Sequence, residues 1–96
     1  MNEAEKNSAL FINLVVMLHG AVMQHLGKIK NPVTDAVERN LDQAQMMIDM
    51  LDMIGVRTTG NLTSEEERLM KNILQEVKLN YVEELEKDRG TRKESP

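Results

Sequence analysis

Apolar positions recur with helical spacing along this 96-residue chain and divide it into three blocks. The first is predicted over about residues 8–26, with Gly27 as its stop, because glycine enters the left-handed region without a Cβ penalty. The second is predicted over 32–54. Asn31 can accept hydrogen bonds from free first-turn amides, and Pro32 suits the first helical position, where no amide proton is needed. Asp35 and Glu38 then lie near the positive end of the helix dipole. The third block, 63–87, opens on Thr63-x-x-Glu66, the capping-box spacing in which hydroxyl and carboxylate each satisfy an orphan amide. No stretch alternates as a strand does, and no internal repeat is present. The expectation is an all-α chain of three helices in a single domain over 1–87, followed by a flexible polar tail over 88–96.

The three helical wheels differ. On the second helix, Val33, Ala36, Val37, Leu41, Ala44, Met47, Ile48, Leu51 and Ile54 form one buried stripe. Asp35, Glu38, Asp42, Asp49 and Asp52 form a face expected to meet solvent. Met46, Met50 and Met53, at i, i+4 and i+7, make a separate apolar shoulder. The third helix carries a broad stripe from Leu69 to Leu85. The first helix is apolar nearly all round, relieved only by Asn13, Gly20 and Gln24. A helix of that kind is buried on all sides, and two companions in so short a chain cannot surround it. A second copy, or another protein, is therefore expected to cover the rest, with Leu10, Leu14, Met17, Leu18, Ala21 and Val22 buried in the association. Small single cores barely offset chain entropy, and oligomerisation is a usual remedy.

Charge sharpens this picture. The chain sums to −4, which argues against nucleic acid as a partner, since that needs concentrated positive surface. Residues 7–27 contain no Asp, Glu, Lys or Arg. Such a run must be tested as a membrane span, but Asn13, His19, Gln24 and His25 are expensive in hydrocarbon. A spanning helix is not expected. With Glu3 and Glu5 before the run, a signal peptide is not expected either. The chain has no Cys, so thiolate metal sites, disulfides and cysteine nucleophiles are excluded. A cytoplasmic location is the expectation.

Few residues suggest chemistry. His19 and His25 are six apart, about 240° around a helix, so one helix cannot direct both at one metal. A symmetric dimer could still join two copies of one of them, giving a ligand- or metal-binding alternative. Glu-x-x-His spacing, as in di-iron bundles, is absent. No metal or cofactor is expected. The eight Met read as adaptable packing. Gly60 and Asn61 tolerate positive φ and predict a tight turn. The glutamates that follow would repel a phosphate at that helix start. Met46, Met50 and Met53 are the surface on which an unidentified protein partner would bind, if it is not more self-association.

Several segments are together similar to a small prokaryotic family. These are Phe11-Ile12-Asn13-Leu14, His19-Gly20-Ala21, His25-Leu26-Gly27, Asn31-Pro32, Leu41 through Leu51, and Asn80-Tyr81-Val82. Most specific is Thr59-Gly60-Asn61-Leu62-Thr63-Ser64-Glu65-Glu66. The family is the domain of unknown function 1844, and the resemblance spans roughly residues 10–83. It implies a small all-helical bacterial protein and brings no catalytic residues. The sequence thus points to a non-enzymatic interaction or scaffold module that self-associates as a homodimer or higher helical-bundle oligomer. A peripheral membrane module using the first helix is the remaining alternative.

Overall fold

A computed structural model describes residues 1–94, with side chains described through Gly90. The chain forms three helices, α1 (Glu3–His25), α2 (Leu41–Arg57) and α3 (Ser64–Glu94). No strand is present among the described residues. The all-α, three-helix expectation holds, but each helix has different ends from those predicted.

α1 starts five residues earlier than expected. The Asn2 side chain accepts from the Glu5 amide at 2.8 Å, and the Glu5 carboxylate reaches back to the Asn2 amide. This is a capping box that the apolar pattern, which begins at Ser8, does not reveal. Gly27, with φ +79°, ends the helix as predicted.

The second helix is shortened by nine residues at its start. Asn31 does cap, but it caps a turn. Its side-chain oxygen accepts from the Val33 amide at 2.8 Å, and its own amide donates to the Ala36 carbonyl at 2.8 Å. Asp35 sits at φ 56°, which closes the loop and cannot continue a helix. Glu38 accepts from the side chains of Asn31 and Thr34, so it serves the turn and not a helix dipole. Asn40 is the real cap of α2, its side chain accepting from the Gln43 amide at 3.1 Å. Val33, Ala36 and Val37 are consequently exposed and absent from the buried stripe. The rest of that stripe is placed as expected: Ala44, Ile48 and Leu51 are buried, with Leu41, Met47 and Ile54 packed against them.

α3 begins at the predicted cap but continues past Lys87 to Glu94. The segment expected as a flexible tail is therefore helical over 88–94, and residues 95–96 lie outside the described region.

The contacts give the helix directions. Residues Ala4 to Phe11 of α1 share a hollow with Thr58–Glu66. His19 meets Glu76, and Lys28 meets Glu84. α1 and α3 therefore run parallel, with α2 antiparallel between their ends. The core lies where the three meet: Val15, Val22 and Leu26 from α1 and its end, Ala44, Ile48 and Leu51 from α2, and Met70, Ile73 and Val77 from α3.

The molecule is elongated. Its radius of gyration is 15.8 Å, against about 12.5 Å for a compact domain of this length. Its accessible surface is 6882 Å² for 11.0 kDa, against about 5,600 Å² for a folded monomer of that mass. The final turns of α3 contribute to the difference, and so does α1, of whose residues only Val15 and Val22 are buried.

Candidate interaction surface

The apolar residues of α1 separate into a buried stripe and exposed positions on both flanks, Ile12 and Val16 on one flank being 36% and 49% exposed. Val15, Val22 and Leu26 are buried, and Phe11 and Leu18 pack beside them. On the other flank, centred about 120° from Val15 and Val22 at 100° per residue, stand Leu10, Leu14 and Met17, with relative exposures of 57%, 44% and 71%. Half-buried Ala21 continues their line. At 100° per residue these four lie within about 60° of one another. Their spacing, 4-3-4, is that of a coiled-coil seam.

Of the six residues expected in an association, the structure therefore groups four on one outer face. Val22 is corrected: at 0% exposure it is consumed by the subunit's own core and has nothing to offer a partner. Leu18 is half-buried against that core and lies at the margin. Gly20 adjoins Ala21, and no atom lies within 4 Å of where a Cβ would stand on it. That end of the face is shallow, and another helix can approach it closely.

Met46, Met50 and Met53 of α2 are exposed, and by helical spacing they lie opposite Ala44, Ile48 and Leu51. A groove of about 450 Å³ opens on another side of α2, against α3. Gly55, Val56, Leu62, Met70 and Leu74 form its floor, and Asp52 and Lys78, paired at 3.0 Å, stand at its edge.

The turn and cap are placed as the sequence predicts. Gly60 has φ +85°, and the Asn61 amide closes the turn on the Thr58 carbonyl at 2.9 Å. The Thr63 amide donates to Glu66 Oε1 at 2.8 Å, and the Glu66 amide donates to Thr63 Oγ1 at 3.1 Å. The hydrogen bond from the Thr63 amide lowers the Glu66 carboxyl below its ordinary value; burial opposes the shift, and the Ser8 and Thr63 hydroxyls assist it. Ser8 belongs to α1, and it lines one hollow with Thr63 and Glu66, so the cap of α3 lies beside the start of α1.

The two histidines do not converge. His19 Nε2 lies 3.3 Å from Glu76 Oε1 of α3, without hydrogen-bond alignment. It is on the core-facing half of α1, away from the Leu10–Ala21 seam. His25 contributes its carbonyl, which accepts from the Asn40 amide at 2.7 Å. Among the described residues no group of three or more His, Asp or Glu is arranged to hold a metal.

One constellation escaped the sequence reading. Glu84 is buried on α3 and gathers three cations: Lys28 at 3.1 Å, Arg39 at 3.0 Å and Lys87 at 2.7 Å. Arg39 also donates to the Glu84 carbonyl and to Asp88. Burial alone would push the Glu84 carboxyl up. The hydrogen bonds and charges of Lys87 and Lys28 outweigh it and bring the pKa down to about 2. The cluster pins the long α1–α2 connection to α3. Periodicity cannot reveal it, because its members come from two loop positions and the third helix.

A family model, "Domain of unknown function (DUF1844)", matches residues 8–83. The chain belongs to the DUF1844 family. No curated protein matches it, and no solved structure does. The matched region takes in the α1 seam, the Met shoulder, the turn and cap, and all but the last turns of α3.

Proposed function

We propose that this DUF1844 protein is a non-enzymatic cytoplasmic interaction module that forms a homodimer through the outer face of α1. The observation that carries the reading is the line of Leu10, Leu14, Met17 and Ala21 on an outer flank of α1, turned away from the buried Val15 and Val22. The exposed outer flank of α1 is one source of the surface excess over a compact monomer, and a standard interface would cover about 800 Å² on each partner. In the assembled state the Met46, Met50 and Met53 shoulder remains on the outside, where adaptable side chains suit a protein partner. Light scattering across a dilution series tests the reading. A dimer mass persisting to low micromolar concentration is expected; a folded monomer there overturns it.

One observation favours a second reading. α1 is long and apolar enough to cross a membrane. A core helix of a soluble protein passes the same test. The same face would then rest on a lipid surface as a peripheral module. Flotation with neutral and anionic liposomes separates the two: the dimer stays at the bottom of the gradient, the membrane module rises.

A further inference from the structure

The α1 face also carries information about how a second copy must lie, and this step rests on the self-association just proposed. Leu10, Leu14, Met17 and Ala21 are not symmetric along the helix. Two bulky leucines stand toward the start, and Ala21 with Gly20 makes the far end shallow. If two copies packed in parallel, each layer would pair a residue with itself. The Leu10 layer would be thick and the Ala21 layer hollow, and the helices would splay or leave a cavity, which costs stability with its volume.

We propose that a second copy of this chain docks on α1 antiparallel, with the two-fold axis passing between Leu14 and Met17. Residue n then faces residue 31 − n of the partner. Leu10 fills the shallow place at the partner's Ala21, and Leu14 packs against the partner's Met17. The outer layers join a large side chain to a small one and the inner layers join Leu to Met, so no layer is left as hollow as two facing alanines. Such a contact is isologous: each pairing occurs twice.

The polar positions along the same line obey the same pairing. Asn7 and Gln24 extend the 4-3 spacing at either end. In the antiparallel arrangement Asn7 meets the partner's Gln24, two amides able to donate to and accept from each other. Beyond them, Glu3 and Glu5 at the start of α1 approach the segment after the partner's α1, which carries Lys28 and Lys30. Lys28 is already held by Glu84, which leaves Lys30 to answer the acidic start. The parallel arrangement would set Glu3 and Glu5 beside their own copies. It would also lay the two helix dipoles side by side in the same sense, whereas the antiparallel one opposes them.

The chain has no cysteine, so any disulfide formed reports only on introduced thiols. Leu10→Cys and Ala21→Cys variants are prepared singly, mixed in equal amounts, and oxidised with diamide. Circular dichroism and light scattering are recorded beforehand. The expected major product is a mixed disulfide between the Leu10→Cys chain and the Ala21→Cys chain. It should be at least about tenfold more abundant than the disulfide joining two Leu10→Cys chains, because the bond needs Cα atoms within about 7 Å. Leu14→Cys mixed with Met17→Cys tests a second layer and serves if a first variant folds poorly. A dimer in which two Leu10→Cys chains crosslink abundantly overturns the orientation in favour of the parallel one. A dimer that yields neither product places the interface elsewhere and overturns it as well. A monomer by light scattering overturns the self-association itself, and is recognised before any oxidant is added.

Discussion

Replacing Met17 by Asp separates assembly from folding. Met17 is the most exposed member of the α1 seam, at 71%, and it points away from the core. Burying a Met side chain fully stabilises by about 1.5–3 kcal/mol. The exposed share of Met17 therefore brings about 1–2 kcal/mol per chain when covered, and two copies bring about 2–4 kcal/mol per dimer by the same coefficient. Losing that raises the dimer Kd by roughly 30- to 900-fold. The introduced carboxylate, desolvated in the interface, pushes the value higher. In the free subunit the same change is a surface substitution, worth about 0.5 kcal/mol or less. Sedimentation velocity from low to high micromolar concentration reads the first effect, and helical circular dichroism of the dilute variant reads the second. The expected variant is a helical monomer under conditions in which the parent chain sediments as the proposed dimer. Unchanged mass would refute the placement of the interface. Collapse of helicity would refute the assignment of Met17 to an outer face.

Two further predictions concern the interior. Glu84→Gln leaves Lys28, Arg39 and Lys87 around an uncharged amide, and should cost about 3 kcal/mol in a urea titration at pH 7; equal midpoints would show that the cluster is not stabilising. Because the folded pKa of Glu84 is about 2 against an ordinary 4.5, its contribution is complete above about 4.5. It is lost as pH falls toward 2, so the acid limb of the stability curve should flatten in the variant. Gly60→Ala meets open space but must hold φ +85°, and should lower stability by about 1 kcal/mol through the backbone alone; an unchanged thermal midpoint would mean that the turn relaxes freely.

The fold was legible where local chemistry and periodicity agree. Thr63 and Glu66 form the predicted box, Gly27 and Gly60 take positive φ, and the Ala44–Ile48–Leu51 stripe is buried. The second helix failed at its start for a definite reason. Two asparagines, Asn31 and Asn40, both precede plausible helices, and both do cap. Asn31 spends its side chain on a turn whose far side is closed by Ala36, an alternative that short polar side chains always offer the backbone. The wheel then inherited Val33 and Val37 from a helix that is not there. Glu84 was missed because its partners lie 45 and 56 residues away in Arg39 and Lys28, beyond the reach of any local pattern. The family's most specific segment, Thr59 to Glu66, acquires a structural meaning: it turns the chain and caps α3 beside the start of α1.

The outer face of α1 was half legible. The sequence shows a helix apolar nearly all round, but not which residues the subunit keeps for itself; Val22 goes inward and Met17 outward only once α2 and α3 are in place. What the structure adds is a contrast. The chain has 28 charged residues among 96, and α2 and α3 place most of theirs on the faces turned away from the core. α1 places none between Asn7 and His25, although Leu10, Leu14 and Met17 stand in water in the isolated subunit. A helix adapted to solvent on that side has no reason to avoid Lys and Glu there, since both are good helix formers and raise solubility. A helix whose outer side is covered has such a reason, because each buried unpaired charge costs several kcal/mol. The charge-free run and the exposed seam are thus two signs of one constraint, and both argue for a partner on α1.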